Sequence, residues 1–176
     1  MTQITEAVHL SPLQRRHAAA LADLYRANRS FLAPFQPLAD DSFYTPAAQA
    51  ERIDATRRRS RADEGYSYAI ELDGTLVGTL TISDIIRGSF QSAHLGYWVS
   101  SAVNGRGIGT AAVAAAVELS FGELRLHRLQ AATLLTNHAS QRVLEKNGFE
   151  RIGVSPKYLR IAGRWQDHVL FARVSG

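Results

Sequence analysis

Residues Asn104–Gly109 read NGRGIG, and they sit at an abrupt junction. HLGYWVS before them is aromatic and β-branched, and TAAVAAAVELSF after them is almost wholly helix-forming. The chain must therefore leave a strand, turn on glycines and restart as a helix within a few residues. The first amides of a helix have no intrahelical acceptor, and the helix dipole leaves partial positive charge beside them. Glycine carries no Cβ, so an anion can approach the backbone there. Arg106 adds a charged donor. A phosphate-bearing ligand lying against the segment is a sharper reading than a merely flexible turn.

Two common phosphate loops are excluded by the residues present. A Walker A loop ends in Gly-Lys-Ser/Thr, which is absent. A dinucleotide fingerprint needs a third glycine where Thr110 stands, and an acidic residue about 20 positions on, where Arg128 to Gln130 lie.

Around this junction the periodicities alternate. TEAVHLS reads as a first strand, and Pro12 to about Asn28 as a helix with Leu13, Ala20, Leu21, Leu24 and Tyr25 at helical spacing. SFLAPFQPLADDSFYT is irregular, and Pro46 opens a second helix running to about Asp63. YSYAIEL and TLVGTLTIS flank Asp73–Gly74, a pair suited to a tight hairpin turn. AHLGYWVS is the next strand, and Gly107 to about Glu123 the helix behind the glycines. HRLQAATLL, HASQRVLEKNG, FERIGVS and WQDHVLFARV then read as strand, helix, strand, strand. The expected class is α+β: a mixed, mostly antiparallel sheet of six to seven strands flanked by about four helices, in one domain over residues 1–176.

Composition narrows the chemistry. The chain has no cysteine, so disulfides, thiolate metal sites and a cysteine-borne acyl intermediate are excluded. Histidines and carboxylates show no ligand spacing, so no metal is expected. The longest apolar run, Ala111 to Val117, is far short of the ~20 residues a membrane span needs. The first residues lack a signal-peptide pattern, and a cytoplasmic protein with no membrane partner is expected. Net charge is +4, but apart from RRRSR at Arg57 to Arg61 the basic residues are dispersed. No nucleic-acid motif accompanies that run, which reads as a solvated helix face rather than a nucleic-acid contact.

The glycine segment resembles the acetyl-CoA loop of the GNAT acyltransferase superfamily, Gln/Arg-x-x-Gly-x-Gly/Ala, with Asn104 in place of the first residue. NHASQRVLEKNGFERIG is similar to the family's Asn-x-x-Ser-x-x-(aliphatic)-x-x-Lys-x-Gly-Phe segment, and GYWVS to its fourth strand. KYLRIAGRWQDHVLFARV and NRSFLAPFQPLADDSFYT resemble the closing strands and substrate-side loop of the RimJ/RimL-type N-acetyltransferases. The resemblance runs in order through nearly the whole chain.

It implies direct acetyl transfer from acetyl-CoA to an amine, with a fourth strand that splays from the fifth to admit the pantetheine arm. The implied cofactor contacts are Asn104, Gly105, Arg106, Gly107, Ile108, Gly109 and Thr110 for the pyrophosphate. For the pantetheine they are the backbone at Trp98 and Val99, and Asn137, which also reads as a helix cap, would bind the pantetheine or the adenosine portion. Ser140 matches the serine that protonates the departing sulfur in this branch. His94 stands where the branch has a glutamate, and either it or a water chain is the implied base. Phe31, Leu32, Phe35 and Tyr44 would wall the acceptor side.

Proton supply bears on the acceptor. An α-amine with a pKa of ~7.8 is about one-third neutral at pH ~7.5, whereas a lysine at ~10.4 is only ~0.1% neutral. A weak or missing base therefore tips the reading toward an N-terminal α-amine, and the resemblance implies that of a protein, of the ribosomal-protein kind. The alternatives are a small amine (an aminoglycoside, a polyamine or an amino-acid derivative) and a non-catalytic acyl-CoA-binding module. A homodimer through exposed strands or the last hairpin is compatible with the pattern.

Overall fold

The structure, a computed structural model, describes residues 8–176. Seven strands form one sheet: β1 (Val8–Pro12), β2 (Gly65–Leu72), β3 (Thr75–Ile86), β4 (Ser92–Val99), β5 (Arg128–Leu134), β6 (Glu150–Ile161) and β7 (Arg164–Val174). Their order is β1-β2-β3-β4-β5-β7-β6, antiparallel except for β4 and β5. Five helices accompany them: α1 (Ala18–Ala27), α2 (Arg29–Leu32), α3 (Pro46–Arg61), α4 (Ile108–Phe121) and α5 (His138–Lys146). This is the α+β architecture the periodicities predict, with one short helix more.

Local chemistry explains the elements. Asp73 and Gly74 take φ of 48° and 79°, the left-handed pair that a two-residue primed hairpin requires. Thr45 caps α3 by accepting from Ala48 N at 3.2 Å, and Pro46 occupies the first turn, where no amide is needed. The first helix starts later than its periodicity suggests. Pro12 ends β1, and Leu13 N still donates to Ser67 O at 2.8 Å, so sheet pairing holds the segment until a 3-10 turn at Arg15–His17. Of the first expected strand, Thr5 to Ala7 lie outside the described residues. α2 forms inside the stretch expected to be irregular. β6 runs six residues beyond Ser155, because Lys157 takes a bulge conformation (φ 48°) and its N–H donates to Asp167 Oδ1 at 2.8 Å. Pro156 is tolerated because β6 is an edge strand.

The sheet has two faces of different use. On one, Ala112, Val113 and Ala116 of α4 pack against Leu80, Ile82, Leu129 and Phe171, all essentially inaccessible. Alanine lets the helix approach closely, and each large side chain buried there contributes about 1.5–3 kcal/mol. On the other, Leu21 and Tyr25 of α1 and Ile53 of α3 pack against Ala69 and Trp98.

The parallel pair organises the site. β4 and β5 are joined only at Ser92–Arg128, Ala93–Leu129 and His94–Gln130, after which they diverge. As β4 bends away it presses on β3. A Cβ at Gly78 would overlap the Trp98 carbonyl oxygen and lie 2.9 Å from Val99 Cα. Gly78→Ala is therefore expected to cost about 1–3 kcal/mol, read as a fall in Tm of about 3–10 °C in a thermal melt. An unchanged Tm would show that β4 does not hold this position.

Candidate active site

The divergence of β4 and β5 opens a cavity of about 690 Å³ that passes through the sheet. At one end is the glycine segment. Gly105 and Gly107 take φ of 78° and 80°, and Gly107 is the residue from which α4 starts. With no side chain to cap the helix and no acidic residue in its first turn, the leading amides of α4 are left for an anion. Asn104, Gly105, Gly107, Ile108, Gly109 and Thr110 all line the cavity. Arg106 belongs to the same turn but not to the lining.

Two side chains fix this turn from behind. Asn28, only 2% exposed, accepts from Ser101 N at 2.8 Å and Ser101 Oγ at 3.1 Å, and donates to Leu24 O. It ties the end of α1 to the segment leading into the glycines. Asn147 donates to Thr110 O at 3.2 Å and Val143 O at 2.9 Å, fastening α5 to the first turn of α4. Arg142 and Lys146, one turn apart on α5, add positive charge to the lining. Among the described residues, no aspartate or glutamate lines the cavity.

In the middle lies a hydroxyl pair. Tyr97 Oη stands 2.8 Å from Ser140 Oγ, bridging β4 and α5 across the gap between the diverging strands. Asn137 Oδ1 accepts from Ser140 N at 3.2 Å, so the N-cap of α5 sets the position of Ser140. The cap uses only the oxygen of Asn137, which also lines the cavity. Burial pushes the Tyr97 phenol up to about 12, against the opposing pull of its bond to Ser140. The phenol is therefore protonated throughout the neutral range and available as a donor.

The far end is aromatic. Trp98 Nε1 donates to Tyr25 Oη at 3.2 Å, and their rings lie 4.8 Å apart. Phe31, Leu32 and Phe35 of α2 and its following turn line the cavity, as do Leu159 and Ile161 of β6 and His168 of β7. Ala162 N donates to Gln36 O at 2.9 Å, so the turn after α2 is bound to the tip of the β6–β7 hairpin.

Most residues singled out from sequence therefore converge on one cavity: Trp98, Val99, Asn137, Ser140, Phe31, Leu32, Phe35 and the glycine segment apart from Arg106. Two others stand apart. Tyr44 lines a smaller neighbouring pocket with Arg29 and Leu38, and Arg29 lies over its ring at 4.5 Å. His94 pairs with Gln130 where β4 and β5 are still joined, and does not line the cavity. Tyr97, Tyr25, Asn28, Arg142, Lys146 and His168 were not singled out as site residues. The i, i+4 spacing of Arg142 and Lys146 was the legible signal among them. The others depend on strand register and on contacts distant in sequence.

Among the described residues there is no cluster of three or more His, Asp or Glu that could hold a metal, and no helix long and apolar enough to cross a membrane. Arg59 in the basic run is engaged by Asp84 at 3.1 Å.

Comparison with known proteins places this geometry. The model of the acetyltransferase (GNAT) domain matches residues 8–150. A probable N-acetyltransferase, YjcK, of Bacillus subtilis (strain 168) is 38% identical over 94% of this chain and 92% of its own length. The [ribosomal protein uS5]-alanine N-acetyltransferase of Escherichia coli (strain K12) is 31% identical over 89% of this chain and 82% of that protein. The solved structure of Mycobacterium smegmatis RimJ in complex with CoA-disulfide superposes with a TM-score of 0.93, at 34% identity, covering 96% of this chain and 82% of the other.

Proposed function

Because the chain belongs to the GNAT acetyltransferase family, we propose that it transfers the acetyl group of acetyl-CoA to the N-terminal α-amine of a protein, of the ribosomal-protein kind. The observation that carries this reading is the distribution of charge along the cavity. Cations and helix amides gather at the glycine end, and no carboxylate among the described residues lines the wall. The glycine end suits the phosphates of CoA, and the passage between β4 and β5 suits an extended pantetheine arm. A polyamine or aminoglycoside would bring several positive charges into a wall with no counter-charge, whereas an α-amine brings one that it sheds near neutrality. The relatives named for acetylation of a ribosomal-protein alanine support the same acceptor class.

The chemistry needs few groups. The amine nitrogen attacks the thioester carbonyl carbon, and backbone N–H groups near Trp98 and Val99 stabilise the charge gathering on the carbonyl oxygen. The carbon–sulfur bond breaks, and the Ser140 hydroxyl, itself hydrogen-bonded to Tyr97, gives its proton to the sulfur. No covalent enzyme intermediate is required.

The test is CoA thiol release with a panel of acceptors: peptides beginning with Ala, Ser or Thr, the same peptides N-blocked with an internal lysine, and a set of aminoglycosides and polyamines. Release is expected with the free N-termini alone. Release only with the small polycations would overturn the acceptor assignment and leave the family chemistry standing. Acetyl-CoA binding without release to any acceptor would point to a binding module.

A further inference from the structure

We propose that His168 takes the proton from the attacking amine, an assignment that rests on the acetyl-transfer reading above. His168 lies on β7 opposite Leu134 of β5 and Ser155 of β6. Its neighbour Val169, and Phe171 two residues further on, point into the core under α4. Alternation along the strand therefore turns His168 to the opposite face, the side of Trp98 and Tyr25. There it lines the cavity while only 3% exposed.

The hydrogen bonding of the ring sets its tautomer. Nδ1 lies 2.9 Å from the backbone oxygen of Gln166. A carbonyl oxygen can only accept, so Nδ1 carries the proton and the neutral ring keeps its lone pair on Nε2. The surroundings do not consume that lone pair in an ion pair. From β6 the Tyr158 ring lies 5.7 Å away, from β5 the opposing side chain is Leu134, and no carboxylate among the described residues lines the cavity. His94, by contrast, sits in the joined part of the sheet outside the cavity wall.

The step balances. The amine arrives as an ammonium, whose proton passes to His168 Nε2 and on to solvent, and the freed lone pair attacks the thioester carbonyl carbon. The carbon–sulfur bonding pair leaves with sulfur, which takes a proton from Ser140. The second proton of the newly acylated nitrogen then restores the Ser140–Tyr97 pair, so the net products are the amide, the CoA thiol and one proton.

His168→Asn is the discriminating variant. Its amide can still donate to the Gln166 carbonyl, but it offers no base at the Nε2 position. In the full chain, with Tm and acetyl-CoA affinity measured alongside to establish folding, kcat/KM for an Ala-initiated peptide is expected to fall by about 10²-fold near pH 6.5. The deficit should shrink as pH rises past the α-amine pKa of ~7.8, where solvent supplies neutral amine. A deficit of equal size at every pH, or a loss carried by His94→Gln instead, would overturn the assignment. Imidazole ¹⁵N spectra of the wild-type chain give a second readout that needs no turnover. The Nδ1–H tautomer supports the proposal, and an Nε2–H tautomer overturns it. If the wild type acetylates no peptide, the α-amine reading fails, while the spectrum still decides where the His168 proton resides.

Discussion

Ser140→Ala is expected to lower kcat by about 10²-fold or more while leaving acetyl-CoA affinity within about twofold. The substitution removes one oxygen, half-buried and 2.8 Å from Tyr97 Oη. It keeps the backbone N–H that Asn137 caps, so α5 should start where it does now. An effect on turnover without one on binding is the signature of a group used in the transition state rather than in the ground state. Tyr97→Phe should cost less, because the serine would still face the sulfur without its partner. The double variant should cost little more than Ser140→Ala, since the two hydroxyls act as a unit. Steady-state kinetics with acetyl-CoA titrations check all three. An unchanged kcat in Ser140→Ala would remove the hydroxyl pair from the mechanism.

Gly107→Ala is expected to weaken acetyl-CoA binding by about 10-fold or more. A Cβ at Gly107 meets no protein atom within 4 Å, so the space it would enter is open unless a ligand fills it. Its φ of 80° adds strain of roughly 1–2 kcal/mol for any side chain. Gly74→Ala separates the two effects. Gly74 has φ of 79° and equally open surroundings, but it sits in the β2–β3 hairpin turn. Both variants should lose similar stability in a melt, whereas only Gly107→Ala should lose affinity by calorimetry. Equal affinities would mean that no phosphate lies against this turn.

Much of this was legible in the sequence because it is local. The glycine turn, the Asp73–Gly74 hairpin, the helix start at Pro46 and the cap at Asn137 are each set by residues within a few positions of one another. Their physical reasons can be read without knowing what lies across the fold. The resemblance then implied the splay of the fourth strand from the fifth and set Ser140 near the thioester. What stayed hidden depends on register and on pairs far apart in the chain. Tyr97 meets Ser140 because β4 leaves β5 after His94; the resemblance implies that the two strands splay, but the point of separation and the pair it creates are set by register.

Asn28 read as the end of a helix, and it is that, but its side chain also reaches Ser100 and Ser101. His94 drew attention by its place in the motif, yet its register holds it where the strands are joined. Strand alternation alone separates His168 from its neighbour Asp167, but what each of them faces depends on contacts across the fold. Asp167 caps a bulge in β6 and His168 faces the cavity.

The account is tested most directly by a single peptide carrying both a free N-terminal alanine and an internal lysine, incubated with the enzyme and acetyl-CoA. The position of the acetyl group is then read by fragment mass spectrometry. Acetylation confined to the alanine amine is the expected result. Acetyl on the lysine side chain, or transfer to neither amine while acetyl-CoA is bound, would contradict it.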